Sequence, residues 1–143
     1  MTPSHVLVPL DGSPLANEAL EFALDQFACP ITVLNVVTPL DATMSEAGII
    51  DPGDQRMEKA QTRAAAVIEE AETTAGKRER TVETAIETGQ PAATILEFLE
   101  KSDVDHVVMG SHSQDTLNPV SRLLGTVATT VVSEAEVSVT VIR

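Results

Sequence analysis

The chain has 143 residues, enough for one domain, 1–143, with a substantial buried core. Its 22 acidic against 9 basic residues give a formal charge of −13, which repels a phosphate backbone and argues against nucleic-acid binding. Cys29 is the one cysteine, so an internal disulfide and a cysteine-built metal site are excluded.

The first run, "HVLVPL" (5–10), is short, apolar and bounded by turn residues, the pattern of a strand buried on both faces. "DGSP" breaks it: Ser13 is a good helix N-cap and Pro14 suits the first helical position. Leu15, Ala16, Ala19, Leu20, Ala23, Leu24 and Phe27 recur at helical spacing, which predicts a helix to about Ala28. "ITVLNVV" (31–37) is a second buried strand, rich in β-branched residues. The segment 38–53 holds two prolines and two glycines without a sustained period and is expected to be a mobile loop, with room for one helical turn over 42–50.

Helical spacing resumes over 54–76 with Met57, Ala60, Ala64, Val67, Ile68, Ala71 and Ala75, and Gly76 is expected to end it as a C-terminal cap. "TVETAIE" (81–87) alternates Val82, Thr84 and Ile86 against Glu83, Ala85 and Glu87, which predicts a sheet-edge strand with one wet face. Gly89 and Pro91 open a short helix carrying Ile95, Leu96, Phe98 and Leu99; "DHVVMG" (105–110) is the fourth strand. Residues 119–134 have a helical pattern and "EVSVTVI" (136–142) is the fifth strand. Alternating strands and helices joined by right-handed crossovers make an α/β fold, a three-layer sandwich around a parallel sheet.

The apolar content comes from Val, Ile, Leu and Ala, and the aromatic rings are those of Phe22, Phe27 and Phe98. With three lysines, the acidic composition resembles that of proteins from salt-rich cytoplasm, where cations screen self-repulsion; a merely acidic mesophilic protein is the plainer reading. His5–Leu10 is too short for a signal peptide, and no run reaches membrane-spanning length, so a soluble cytoplasmic protein without membrane contact is expected. Cys29, beside Phe27, Ala28 and Ile31, reads as a small apolar core residue.

Open parallel sheets bind ligands beyond the carboxyl ends of the strands, where strand order reverses. With the first strand central, that point receives Pro9–Ser13, the loop after Val37 and the loop after Gly110. His5 and His106 fall at the opposite end, where a metal role is not expected, and His112 has no legible acid–base partner.

Three stretches, "VLVPLDGSPLANEALEFAL", "VLNVVTP" and "DHVVMGSHS…LLGTV…VSVTVIR", together resemble the universal stress protein family over nearly the whole chain. The resemblance implies a five-stranded parallel sheet in the order 3-2-1-4-5, a homodimer pairing strand 136–142 with its copy across a two-fold axis and, in one branch, an ATP site. That branch carries glycine, two residues, glycine, nine residues, glycine and then serine or threonine. By position, Gly110 matches the first glycine and Gly125-Thr126 the closing pair. The resemblance assigns Asp11 to adenine and ribose, Val36 to the adenine edge through its backbone, Pro9 and Met109 to the base, and His112 and Val127 to the phosphate loop.

Two departures stand out: Ser113 occupies the middle glycine position, and eleven residues, 114–124, separate it from Gly125. Glycine offers positive φ and lets phosphate approach bare backbone; serine gives that up but brings a hydroxyl donor. The longer loop adds little entropy. Asn118-Pro119 also reads as a helix start, which would bury Gly125 in a continuous helix, whereas a restart near Thr126 would free amides for an anion. The resemblance favours the restart.

The function expected is a small dimeric stress-response protein holding an adenine nucleotide, ATP with Mg2+ or Mn2+ on its phosphates, at Pro9, Asp11, Val36, Met109, Gly110, His112, Ser113, Gly125, Thr126 and Val127. It would act by linkage, the nucleotide ordering the 38–53 and 111–124 loops. No efficient hydrolytic machinery is legible, so turnover would be slow or absent. The alternative is a universal stress protein without nucleotide that works through protein contacts, for which Ser113 is the best sign. A receiver domain lacks its acidic cluster and lysine here, and there is no Walker A motif.

Overall fold

The computed structural model describes residues 2–38, 53–111 and 126–143, with side chains in the second helix from Glu58 onward. In chain order these form β1 (Val6–Pro9), α1 (Pro14–Gln26), β2 (Ile31–Val37), α2 (Gly53–Gly76), β3 (Glu83–Thr88), α3 (Pro91–Lys101), β4 (His106–Gly110), α4 (Thr126–Glu134) and β5 (Ser138–Ile142). The strands make one five-stranded sheet in the order β3-β2-β1-β4-β5, every pair parallel. The proposed helical turn at 42–50 and the pattern over 119–125 lie outside the described residues.

Both faces of the sheet are covered, as an all-parallel sheet requires. On one face Val6, Val8, Ile31 and Val33 meet α1 through Ala16, Ala19, Leu20 and Ala23, and α2 through Ile68, Ala71 and Ala75. On the other, Leu7, Leu34, Val107 and Met109 meet Ile95 of α3 and Ala128 and Val131 of α4. Alternate residues of each central strand thus enter opposite cores. Leu7, Leu20, Ile31, Leu34 and Ile95 are fully buried, each worth about 1.5–3 kcal/mol relative to exposure.

Helix α1 begins as expected, with Ser13 accepting from the Ala16 N–H and Pro14 in the first turn, but it stops at Gln26. The Phe27 N–H closes the last turn on the Ala23 carbonyl, and Phe27 itself is extended. The end of α2 departs more. Gly76 stays helical, and the positive φ expected there falls on Glu79 (φ 56°). The Arg80 N–H returns to the Ala75 carbonyl, the closure of a Schellman turn built without glycine.

That turn aims Arg80 at the α1–β2 connection. Its guanidinium donates to the carbonyls of Leu24 (2.8 Å), Phe27 (2.6 Å) and Cys29 (2.7 Å). Orphan carbonyls at the end of α1 thereby find a charged donor. Cys29 is half-buried against the α1 core, in keeping with a packing role.

The edge strand β3 is wetter than its alternation suggests. Ile86 is 46% exposed while Ala85 is half-buried against the α3–α4 core, the reverse of the expected facing within the strand. At the amino end of the sheet, the Asp105 carboxylate accepts from the Ser4 and His5 N–H groups, which holds it below the usual carboxylate range. His5 bridges Asp103 and the Thr32 hydroxyl (2.8 Å), and its bond lowers the Asp103 carboxyl. His106 is half-buried, 5.2 Å from the Phe27 ring, with Nε2 2.8 Å from the Thr140 hydroxyl. Desolvation holds its imidazole below the ordinary 6.5, with Asp105 pulling weakly the other way.

Two outcomes follow. Arg80→Ala leaves three carbonyls without their charged donor and lowers stability by about 2–4 kcal/mol; Arg80→Lys recovers part of that loss, because a point charge cannot fork to three acceptors. Urea titration measures both. Because His106 is depressed in the fold, the unfolded chain takes up its proton first. Its contribution is complete above pH 6.5 and declines as pH falls below it. Urea midpoints between about pH 5 and 7.5 should therefore vary less in His106→Gln than in the parent.

Candidate functional site

The site follows from strands of unequal length. The β1–β2 ladder ends at the Pro9–Leu34 pair, with one further bond from the Leu10 N–H to the Leu34 carbonyl (2.8 Å), while β2 continues to Val37. The Leu10 carbonyl is taken by the buried Asn35 amide at 2.8 Å. The Val37 carbonyl faces β3, where it accepts from the Gly89 N–H. Alternation therefore turns the N–H and C=O of Val36 to the β1 side, beyond the last strand residue opposite.

A second gap opens between β1 and β4. These strands pair only at Val6–His106 and Leu7–Val107, whereas β4 follows β5 as far as Gly110–Ile142. The Ser111 N–H extends that attachment by donating to the Ile142 carbonyl. β4 thus leaves with β5, and a crevice forms at the reversal of strand order.

The loop between β1 and α1 floors this crevice. Gly12 has φ +86°, a conformation that glycine adopts without a Cβ penalty. The Asp11 carboxylate accepts from the Ser13 N–H at 2.9 Å, so this side chain shapes the turn while lining the cavity. Gly110 has a different reason to be glycine. A Cβ there would stand 2.6 Å from the Leu15 carbonyl carbon and 2.8 Å from the Ala16 nitrogen. The first turn of α1 crosses directly over the end of β4.

The resulting cavity is about 320 Å³, at the small end of ligand pockets. It gathers Pro9, Asp11, Val36, Met109, Gly110 and Val127 of the residues expected from sequence. Thr126 is the first described residue of α4, next to Val127, but is not among the lining residues. His112, Ser113 and Gly125 lie outside the described residues; the described part of the helix expected over 119–134 runs Thr126–Glu134.

Sequence reasoning passed over two lining residues with polar side chains, Asn35 and Arg63. Asn35 carried a readable signal, since an amide inside the apolar run "ITVLNVV" must find a partner when buried. Arg63 carried none: it stands among the alanines of α2 like any solvent-facing cation. The walls are otherwise largely aliphatic, with Ala60, Ala64 and Val67 on one side and Pro91 and Ile95 on the other. Among the described residues no group of three His, Cys, Asp or Glu side chains could hold a metal, and no helix is long and apolar enough to cross a membrane.

Comparison with known proteins agrees with this architecture. The chain matches the universal stress protein family over residues 3–143. The universal stress protein UspA from Lactobacillus plantarum superposes with a TM-score of 0.79 at 23% identity, covering 100% of this chain and 99% of that one. A universal stress protein in complex with cAMP superposes with a TM-score of 0.72 at 20% identity, covering 100% and 99%. A family member from Arabidopsis thaliana with AMP bound gives 0.71 at 22% identity, covering 98% and 91%. No curated protein matches the chain at a significant level.

Two glycines in different surroundings separate by mutation. Gly110→Ala should lower stability by about 1–3 kcal/mol through overpacking against the α1 backbone. Gly76→Ala, where an added Cβ meets nothing within 4 Å, should raise it by about 0.5–1 kcal/mol through helix propensity. Urea midpoints of the two variants check both signs.

Proposed function

The chain belongs to the universal stress protein family, and on that premise we propose that it is a regulatory nucleotide-binding protein whose ligand is an adenine nucleotide, ATP with Mg2+ or Mn2+. The observation that carries this reading is the crevice at the strand-order reversal, with the backbone of Val36 at one end and Gly110 with the described part of α4 at the other. A base set against Val36 meets one N–H and one C=O, the complementary pair that a purine edge needs. Pro9 and Met109 supply aliphatic surface for its ring. The Asp11 carboxylate stands at the turn where a ribose hydroxyl can donate to it. Phosphates then extend toward Gly110 and α4, and a helix restarting near Thr126 would offer them amides without intrahelical acceptors. His112, Ser113, Gly125 and Thr126 complete this reading as phosphate-loop residues. The cAMP and AMP complexes of structural relatives support an adenine ligand at this fold.

The proposal extends to a homodimer through β5, in the cytoplasm, that signals nucleotide occupancy rather than turning it over. A second reading, contacts with protein partners and no nucleotide, is favoured by Ser113 in the middle glycine position.

Thermal unfolding with and without ATP and Mg2+ tests the two. At a hundredfold excess over Kd, binding stabilises by about 2.7 kcal/mol, roughly 5–10 °C in Tm for a chain of this size. Nucleotide retained through purification and identified by mass spectrometry would agree. A Tm unmoved by millimolar ATP, AMP and cAMP, with the fold intact, would overturn the nucleotide reading.

A further inference from the structure

One turn of α2 brings a cation to a largely aliphatic cavity. Ala60 and Ala64 seat this helix on Val37 at the carboxyl end of β2. Arg63, between them in sequence, joins the cavity wall as the single Lys or Arg among its described lining residues. Its side chain is exposed and makes no ion pair with another described residue. It belongs to the β2 side of the crevice, where Val36 turns its backbone; Gly110 and α4 form the other side.

This placement matters because none of the described lining residues is aromatic. The chain has no Trp or Tyr, and its Phe22, Phe27 and Phe98 pack into the two cores away from the crevice. A planar ring set edge-on to Val36 therefore meets aliphatic carbon and, among the described lining residues, one planar polar group that no other described residue engages, the Arg63 guanidinium. Asn35 and Asp11, the other planar side chains, are bonded to the Leu10 carbonyl and the Ser13 N–H. Guanidinium is weakly hydrated and stacks on π faces, which a lysine ammonium cannot do.

We propose that Arg63 lays its guanidinium on the face of the ligand's base and thereby sets the preference of this site for a flat nitrogen heterocycle. The assignment rests on the nucleotide reading above and makes Arg63 a base-covering residue, with the phosphates on the Gly110 side.

Calorimetric titration of the full chain, Arg63→Ala and Arg63→Lys with adenosine, AMP and ATP–Mg2+ at low and high salt decides it. Arg63→Ala should weaken all three ligands by a common factor, about three- to thirtyfold. Arg63→Lys should recover little of that, and the factor should change little with salt. A loss that grows with phosphate number and is recovered by Lys overturns the assignment in favour of a phosphate clamp. Unchanged affinity in both variants overturns it outright. A parent chain that binds none of the three overturns the nucleotide reading itself, and this inference with it. Urea midpoints matching the parent confirm that exposed Arg63 was replaced without loss of fold.

Discussion

The structure depends on where β1 stops. Its pairing with β2 ends while β2 has three residues still to run, and the buried Asn35 amide takes the carbonyl that would have continued the ladder. An unpaired backbone carbonyl in such a place would be destabilising by about 1–3 kcal/mol. The side chain removes that penalty and at the same time prevents β1 from extending past its neighbour. The crevice, its exposed strand edge and the turn carrying Asp11 all follow from this one termination.

The second condition is the parting of β1 and β4. Residues beyond Val107 stay with β5, so the chain after β4 is delivered to one side of the crevice and the chain after β1 to the other. Small residues make the layers close enough for this to work. Ala16, Ala19 and Ala23 bring α1 down on the sheet, and Gly110 removes the last side chain that would hold the helix away. The distal end of the same layer is fastened differently, by Arg80 reaching across to carbonyls of α1 and the following link.

Fold class was legible because central parallel strands are apolar on both faces and helices repeat at their own period, and "HVLVPL", "ITVLNVV" and the α2 stripe each identify one element; strand order came with the family resemblance. Element ends were harder. Gly76 is the last residue of α2, as its position suggested, but the left-handed residue of the closing turn is Glu79, at the strain that a non-glycine residue meets there. The alternation of β3 named a dry face that an edge position does not enforce, and Ile86 stands 46% exposed there. Within the site, residues leaving strand ends were readable from topology, whereas Arg63 was not, because a helix places it there only after α2 has docked on β2.

Gly110 carries a wider consequence. Since its missing Cβ is demanded by a helix backbone passing overhead, any chain that keeps this layer spacing must keep the glycine whether or not it holds a ligand. A lone match at this position in a distant relative is therefore a marker of architecture. Positions free of scaffold duty, the α2 surface above all, are where lineages sharing these bones can diverge in what they recognise.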